Sequence, residues 1–296
     1  MIDEFTLPTP ADIGDWEVNG YWISPPLFSP EEIARAIEAM DRVIAGVCET
    51  GHEPWSRFWN PGDDPLALCK IDNSHWANLA IRDLVLSEAI GAAAARLMHT
   101  HEVRLWHDQL LFKPGQGPGA KPGGNVGWHQ DHGYWTNTCP DLLTAWIALV
   151  DVDESNGCMH FVPGSHRWGK IDGDFFDQDL ERTRERIAEE TGEEFRTVPI
   201  VMRAGQVSFH HCLTIHGSGP NRTDSPRRSF AVHLQPAHAA HIAGTPADSH
   251  QCSIMLRHLG GSEGSLYRGG PWPTLYPKRS EPIPCPSHRE MSSLGD

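Results

Sequence analysis

The densest chemistry in the chain lies in GWHQDHGYW, residues 127–135, where two histidines and an aspartate fall within four positions. Side chains alternate along a strand, so His129 and Asp131 on a strand would present an imidazole and a carboxylate on one face. Such a pair supplies two of the three protein donors of a 2-His-1-carboxylate iron(II) site, which leaves coordination positions open for substrate chemistry. Alone, H-x-D is more often a solvated strand end, especially in a chain with 18 histidines. A second constellation changes the balance. HHCLTIHGSGPNRTDSPRRSF places His216 between an apolar strand and a glycine-rich turn, with Arg227 and Arg228 opening the next strand. That arrangement suits a 2-oxo dicarboxylic acid, whose keto acid end chelates a metal and whose far carboxylate needs a cation. Arginine's fork binds a carboxylate through two parallel hydrogen bonds, and the Ser218 hydroxyl can donate to the same group. Zinc at His129, Asp131 and His216 in a hydrolase is another reading of the donors, but it gives Arg227 no task.

These residues need strands to hold them. Strand patterns occupy 102–113, 142–152, 158–164, 195–202, 206–212 and 227–236, separated by turn sequences such as Asn156-Gly157 and Pro163-Gly164-Ser165. Helical signals come earlier. Ser29-Pro30-Glu31-Glu32 combines an N-cap, an N1 proline and a capping-box glutamate, predicting a helix over about 30–47. A helical pair is expected over about 75–98 and another helix within 173–190, whose charges read as a solvated face. Strands following a helical region predict a mainly β fold with flanking helices, its core a double-stranded β-helix (jelly roll, cupin-like). The glycine- and proline-rich loop 114–127 lacks the spacing and following helix of a dinucleotide-binding turn. It reads as a mobile flap ahead of the metal candidate.

Composition sets the outer limits. The 296 residues, 39% hydrophobic, suffice for a large core, and 24 basic against 39 acidic side chains give −15. That balance argues against nucleic acid or an anionic membrane as a partner. Seven cysteines without a C-x-x-C pair read as free thiols in a reducing compartment. The N-terminus is unlike a signal peptide and no apolar run reaches membrane-spanning length, so a cytoplasmic location is expected.

The blocks HDQLLFKPG, WHQD, TAWIALVDVDESNGCMHFVPGSHRWG and AGQVSFHHCLTIHGSGPNRTDSPRRSFAVHL resemble the phytanoyl-CoA dioxygenase family of iron(II)/2-oxoglutarate oxygenases. They run in the family's order over roughly residues 100–236, and NGYWISPPLFSPEEIARAIEAM resembles its opening. The resemblance implies His129, Asp131 and His216 as iron ligands, Arg227 as the 2-oxoglutarate-binding arginine and Ser218 as its helper. It further implies Trp146 as an aromatic lining the cosubstrate, with Gln109 and Lys113 on the strand leading to the flap, where surface roles stay open. Iron(II), 2-oxoglutarate and O2 follow as cofactor and cosubstrates, and a small molecule as substrate. The carboxylate of Asp131 argues for hydroxylation rather than halogenation, since halogenating relatives lack it. One domain over 1–296 is expected: a helical region to about 100, a jelly-roll core over about 101–236, and a substrate-shaping segment over about 237–296. The alternative is a metal-binding cupin-like isomerase or binding protein without oxygenase activity, marked by a fourth protein ligand. His132 and His210 read as core or neighbouring residues, His166 as structural, and Arg228 as facing away from Arg227.

Overall fold

A computed structural model describes residues 3–117, 124–135, 139 and 141–279. In chain order the elements are α1 (Pro10–Asn19), β1 (Tyr21–Ile23), α2 (Pro30–Ile44), β2 (Ser56–Arg57), β3 (Cys69–Asp72), α3 (Leu79–Val85), α4 (Glu88–Leu97) and β4 (Val103–Lys113). Then follow β5 (Val126–His129), β6 (Leu143–Ala148), β7 (Met159–Phe161), α5 (Leu180–Thr191), β8 (Val198–Pro199), β9 (Val207–His211), β10 (His216–Ser218), β11 (Arg227–Pro236), α6 (Gln251–His258) and β12 (Thr274–Tyr276).

The strands form two antiparallel sheets. The larger runs β1-β9-β6-β11-β4-β3-β2, with β12 also on β4, and the smaller runs β5-β10-β7-β8. The outer face of the large sheet is covered by helices. Phe230, Val232 and Leu234 of β11 join Leu105 and Leu110 of β4 in one apolar cluster with Ala36, Met40 and Val43 of α2 and Ile90 and Ala94 of α4. Alternate residues of the same strands therefore face the other way, toward the small sheet: Arg227, Ala231 and His233 on β11, and His107, Gln109 and Leu111 on β4. The expected helix over 30–47 is α2, closed at its start by the reciprocal Ser29–Glu32 capping box.

Some expectations shift. The stretch 195–202 carries only the two-residue β8 and an isolated bridge between Met202 and Val152; Pro199, which has no N–H to give, closes β8. Strand β3 and helices α1 and α6 add to the pattern read from sequence; β3 brings Lys70 and Asp72 to the interior face of the large sheet. Of the loop 114–127, residues 118–123 lie outside the described residues. Gln116 and Gly117 at its start donate backbone hydrogen bonds to the carbonyls of Asn221 and Thr223. The six described cysteines are free thiols, and among the described residues no helix is long and apolar enough to cross a membrane.

Candidate active site

A cavity of about 410 Å³ opens between the sheets. His129 ends β5, His216 begins β10, and the two are direct partners across the antiparallel ladder, with ring centroids 4.1 Å apart. Asp131 reaches them differently from the strand alternation the sequence predicts. The chain leaves β5 at His129, stays extended through Gln130 and enters a 3₁₀ turn at Asp131. The carboxylate still arrives beside both rings: Oδ1 lies 3.6 Å from His129 Nε2 and 3.7 Å from His216 Nε2. Gln130 fastens the turn, donating to the Gly169 and Leu213 carbonyls and accepting from the Ile171 amide.

The donor set fits a divalent metal. All three ligand atoms lie within 4.8 Å of one another on buried residues, and no fourth His, Cys, Asp or Glu joins the group among the described residues. Both histidines donate Nδ1–H to a carbonyl two residues earlier, His129 to Gly127 at 2.7 Å and His216 to Thr214 at 3.0 Å. Each Nε2 lone pair is thereby turned inward, the arrangement that fixes a ligating imidazole. Burial drives His216 well below its ordinary pKa, so its ring is neutral. Burial alone would raise the Asp131 carboxyl, but the surrounding imidazoles of His216, His129, His210 and His233 outweigh it and hold the group well below the usual carboxylate range. An anionic carboxylate beside the neutral His216 ring is the protonation state metal binding requires.

The large sheet braces Asp131 from below. Thr144 Oγ1 donates to Asp131 Oδ2 at 2.5 Å and sits 2.7 Å from His233 Nδ1, while His210 Nε2 lies 3.3 Å from the same carboxylate oxygen. The register makes this a row: Thr144 pairs with both His233 and His210, and His233 pairs with His107. His210 is thus a cavity-facing neighbour of the carboxylate, whereas His132 sits in the turn and donates its backbone N–H to the Cys212 carbonyl.

Six residues along β11 from His233, roughly 20 Å at strand rise, lies Arg227, paired in register with Lys113. Arg227 is 2% exposed and donates to the Gly157 carbonyl, its guanidinium carbon 5.2 Å from the Trp146 ring. Lys113 Nζ donates to Ser218 Oγ at 2.8 Å and to the Gly219 carbonyl at 2.6 Å. Ser218 accepts there, which leaves its own O–H to give. Burial lowers the pKa of Arg227 to about 10, and burial followed by the Arg227 charge brings Lys113 well down. Gln109 lines the cavity opposite Asp72 of β3. Arg228 points outward to pair with Asp41.

Glycines let the roof of the cavity settle on the metal-candidate strand. Gly127 donates its amide to the Phe175 carbonyl, and a Cβ there would meet the Asp174 carbonyl oxygen at 1.9 Å. A Cβ on Gly173 would meet Trp128 O at 2.5 Å and His129 Cα at 2.7 Å. The loop so anchored places Phe175 against His129, with ring centroids 5.2 Å apart, and Phe176 beside Phe58 at 6.4 Å.

A profile of the phytanoyl-CoA dioxygenase family matches residues 16–229. The chain belongs to the phytanoyl-CoA dioxygenase family. A probable alpha-ketoglutarate-dependent hypophosphite dioxygenase from Stutzerimonas stutzeri is 31% identical to this family member over 235 residues, covering 76% of this chain and 78% of that one. Among solved structures, the non-haem alpha-ketoglutarate-dependent carbocyclase SnoK of nogalamycin biosynthesis is similar with a TM-score of 0.68 and 26% identity, over 90% of this chain and 96% of that one. The epimerase SnoN in complex with Fe3+, alpha-ketoglutarate and nogalamycin RO has a TM-score of 0.66 and 26% identity, over 90% and 97% of the two chains. The protein is accordingly a non-haem iron(II)/2-oxoglutarate-dependent dioxygenase.

Residues absent from the sequence reading also line the cavity: His107, His233, Lys70, Asp72, Thr144 and His250. Parity along the strands could have found two of them, since His107 shares a face with Gln109 and His233 with Arg227.

Proposed function

We propose that His129, Asp131 and His216 hold the iron(II) and that Arg227, with Ser218 and Lys113, receives the far carboxylate of 2-oxoglutarate. One observation carries this reading: the cavity joins an anionic, two-imidazole donor set to the buried Arg227, with Lys113 bonded to the lining Ser218, and the described residues supply neither cation with a carboxylate. Leaving a buried guanidinium without an anion is costly, and a dicarboxylate cosubstrate removes that cost at the moment of binding.

With these residues loaded, iron(II), 2-oxoglutarate and O2 supply an oxidation that releases succinate and CO2 and attacks a C–H bond of the substrate. The chain's own contribution is positioning. The Nδ1–H bonds of His129 and His216 hold the imidazoles, Thr144 holds Asp131, and Trp146 packs beside the Arg227 guanidinium. The lining of aromatic and aliphatic side chains suits a small uncharged or amphipathic metabolite, with hydroxylation as the outcome because Asp131 occupies the carboxylate position that halogenation would need vacant. We further read residues 1–296 as one domain with a double-stranded β-helix core, active in the cytoplasm without a nucleic-acid partner, in keeping with its net charge of −15.

The test is aerobic succinate release from 2-oxoglutarate with added iron(II). Asp131→Ala is expected to abolish it; undiminished succinate from that variant overturns the ligand assignment.

A further inference from the structure

Beyond the metal candidate, on the side away from Arg227, the cavity carries polar groups that neither the iron nor 2-oxoglutarate needs. His107 and His233 are 2% and 3% exposed, their rings 4.3 Å apart, and His107 lies 5.0 Å from His250. His107 Nδ1 and His233 Nε2 have no hydrogen-bond partner among the described residues. Both residues line the cavity, and because buried polar atoms are normally satisfied, the pair is a candidate contact for a ligand's own polar atoms.

The hydrogen-bond network assigns two of the three polarities. Thr144 gives its only proton to Asp131, so His233 Nδ1–H donates to Thr144 and His233 Nε2 is an acceptor. His250 caps α6, its Nδ1 accepting from the Cys252 amide, so its proton sits on Nε2 as a donor. Beside a third imidazole, His107, this edge offers both a donor and an acceptor, the pattern that reads hydroxyl and carbonyl groups.

Net charge is absent from this end. Among the described lining residues the cations are Arg227, at the far end, and Lys70. Lys70 Nζ is held by both Asp72 oxygens at 2.8 and 3.0 Å and lies 3.9 Å from the centre of the Phe58 ring. Desolvation pushes His250 down to about 3 and His107 well below its usual value, so both rings are neutral. The walls are flat and apolar: Trp55, Trp135 and Phe175 line the interior, and Phe58 and Phe176 stand 54% and 60% exposed.

We propose that the substrate is a net-neutral, oxygenated ring compound whose hydroxyl or carbonyl edge is read by His107, His233 and His250 and whose faces pack between the aromatic walls. This inference rests on the dioxygenase reading of the same cavity. It sets carboxylates, phosphorus oxyanions and coenzyme A thioesters aside, because each brings a charge to an end that has none to match it.

The test uses the full chain with 2-oxoglutarate under anaerobic conditions. A dihydroxyanthraquinone and an anthraquinone carboxylate are titrated by quenching of tryptophan emission, and octanoyl-coenzyme A and hypophosphite are added as competitors. The neutral quinone is expected to bind at least about tenfold tighter than its carboxylate, with neither competitor displacing it. His107→Leu should weaken it about tenfold, His107→Gln should recover most of that loss, and His250→Asn, which keeps a helix-capping acceptor, should also cost about tenfold. Unchanged 2-oxoglutarate affinity in these variants shows the fold and the Arg227 end intact. Equal or tighter binding of the carboxylate, displacement by either competitor, or indifference of the quinone to both His107→Leu and His250→Asn overturns the proposal. Succinate release without any ring compound separates the two readings: if it proceeds while the quinone fails, the substrate class alone is wrong.

Discussion

Lys113 and Arg227 face each other across β4 and β11, both buried, and no carboxylate among the described residues pairs with either. Two adjacent cations in that setting repel: after burial, the Arg227 charge brings Lys113 down, while burial lowers Arg227 itself. The pair is comfortable only with an anion between them or beside them, which makes the 2-oxoglutarate end of the cavity a source of binding energy held ready in the fold.

Arg227→Gln should therefore raise the 2-oxoglutarate concentration needed for half-maximal succinate release on the order of a hundredfold, about 3 kcal/mol. Iron affinity should stay within a few fold. Anaerobic visible titration of the iron-loaded protein with 2-oxoglutarate measures both, and an unchanged 2-oxoglutarate affinity would remove Arg227 from the site.

Thr144→Val removes the donor that holds Asp131 Oδ2 while nearly preserving volume. Loss of such a supporting contact typically weakens metal binding roughly 10- to 100-fold. Equilibrium dialysis with iron(II), or manganese(II) as an air-stable stand-in, should show that loss with 2-oxoglutarate pairing to Arg227 retained. Metal affinity equal to the parent's would mean that the hydrogen bond does not orient the carboxylate.

Acid should cost stability through half-buried neutral histidines. Burial first, then neighbouring imidazoles, lowers His211 to about 3, and desolvation does the same to His250. Between pH 6.5 and about 3 the unfolded chain binds more protons at these residues than the folded one. Stability thus rises with pH across that window and is lost as pH falls below 6.5, by up to about 1.4 kcal/mol per unit for each histidine. Urea midpoints measured from pH 7 to 5 should fall, and His211→Gln should flatten the slope; an identical slope in that variant would place the acid sensitivity elsewhere.

What could be read from sequence was whatever is local. Ser29-Pro30-Glu31-Glu32 announces α2 within four residues, and the apolar alternation of β4 and β11 is long enough to declare itself. The candidate ligands and Arg227 were legible because each lies in a motif with its own neighbours. The His107–His233–Thr144–His210 row was not, since it exists only through the register of strands far apart in the chain. Strand β3, Cys-Lys-Ile-Asp, is too short and too polar to show a period, yet its register with β4 delivers Lys70 and Asp72 to the cavity. Asp131 reaches the two imidazoles from a 3₁₀ turn, where the sequence pattern suggests continued strand.

Gly127→Ala should distort the cavity from a distance. Its new Cβ meets carbonyl oxygens of Asp174 and Asp177, backbone that cannot swing aside like a side chain. A cost of about 1–3 kcal/mol is expected, read as a lower urea midpoint together with weaker iron binding, because the displaced segment is the one that ends in His129. Parent-like stability and iron binding would show that the roof can lift freely.

That seam between β5 and the Gly173–Phe176 loop is made from glycines and main-chain atoms, so it does not depend on which side chains the loop displays. Residues at positions 175 and 176 can be exchanged as interchangeable fittings on a fixed hinge plate, altering what the enzyme admits while the imidazole beneath keeps its aim. A lineage starting from this scaffold could change substrates by editing the roof and leave the oxidising centre untouched.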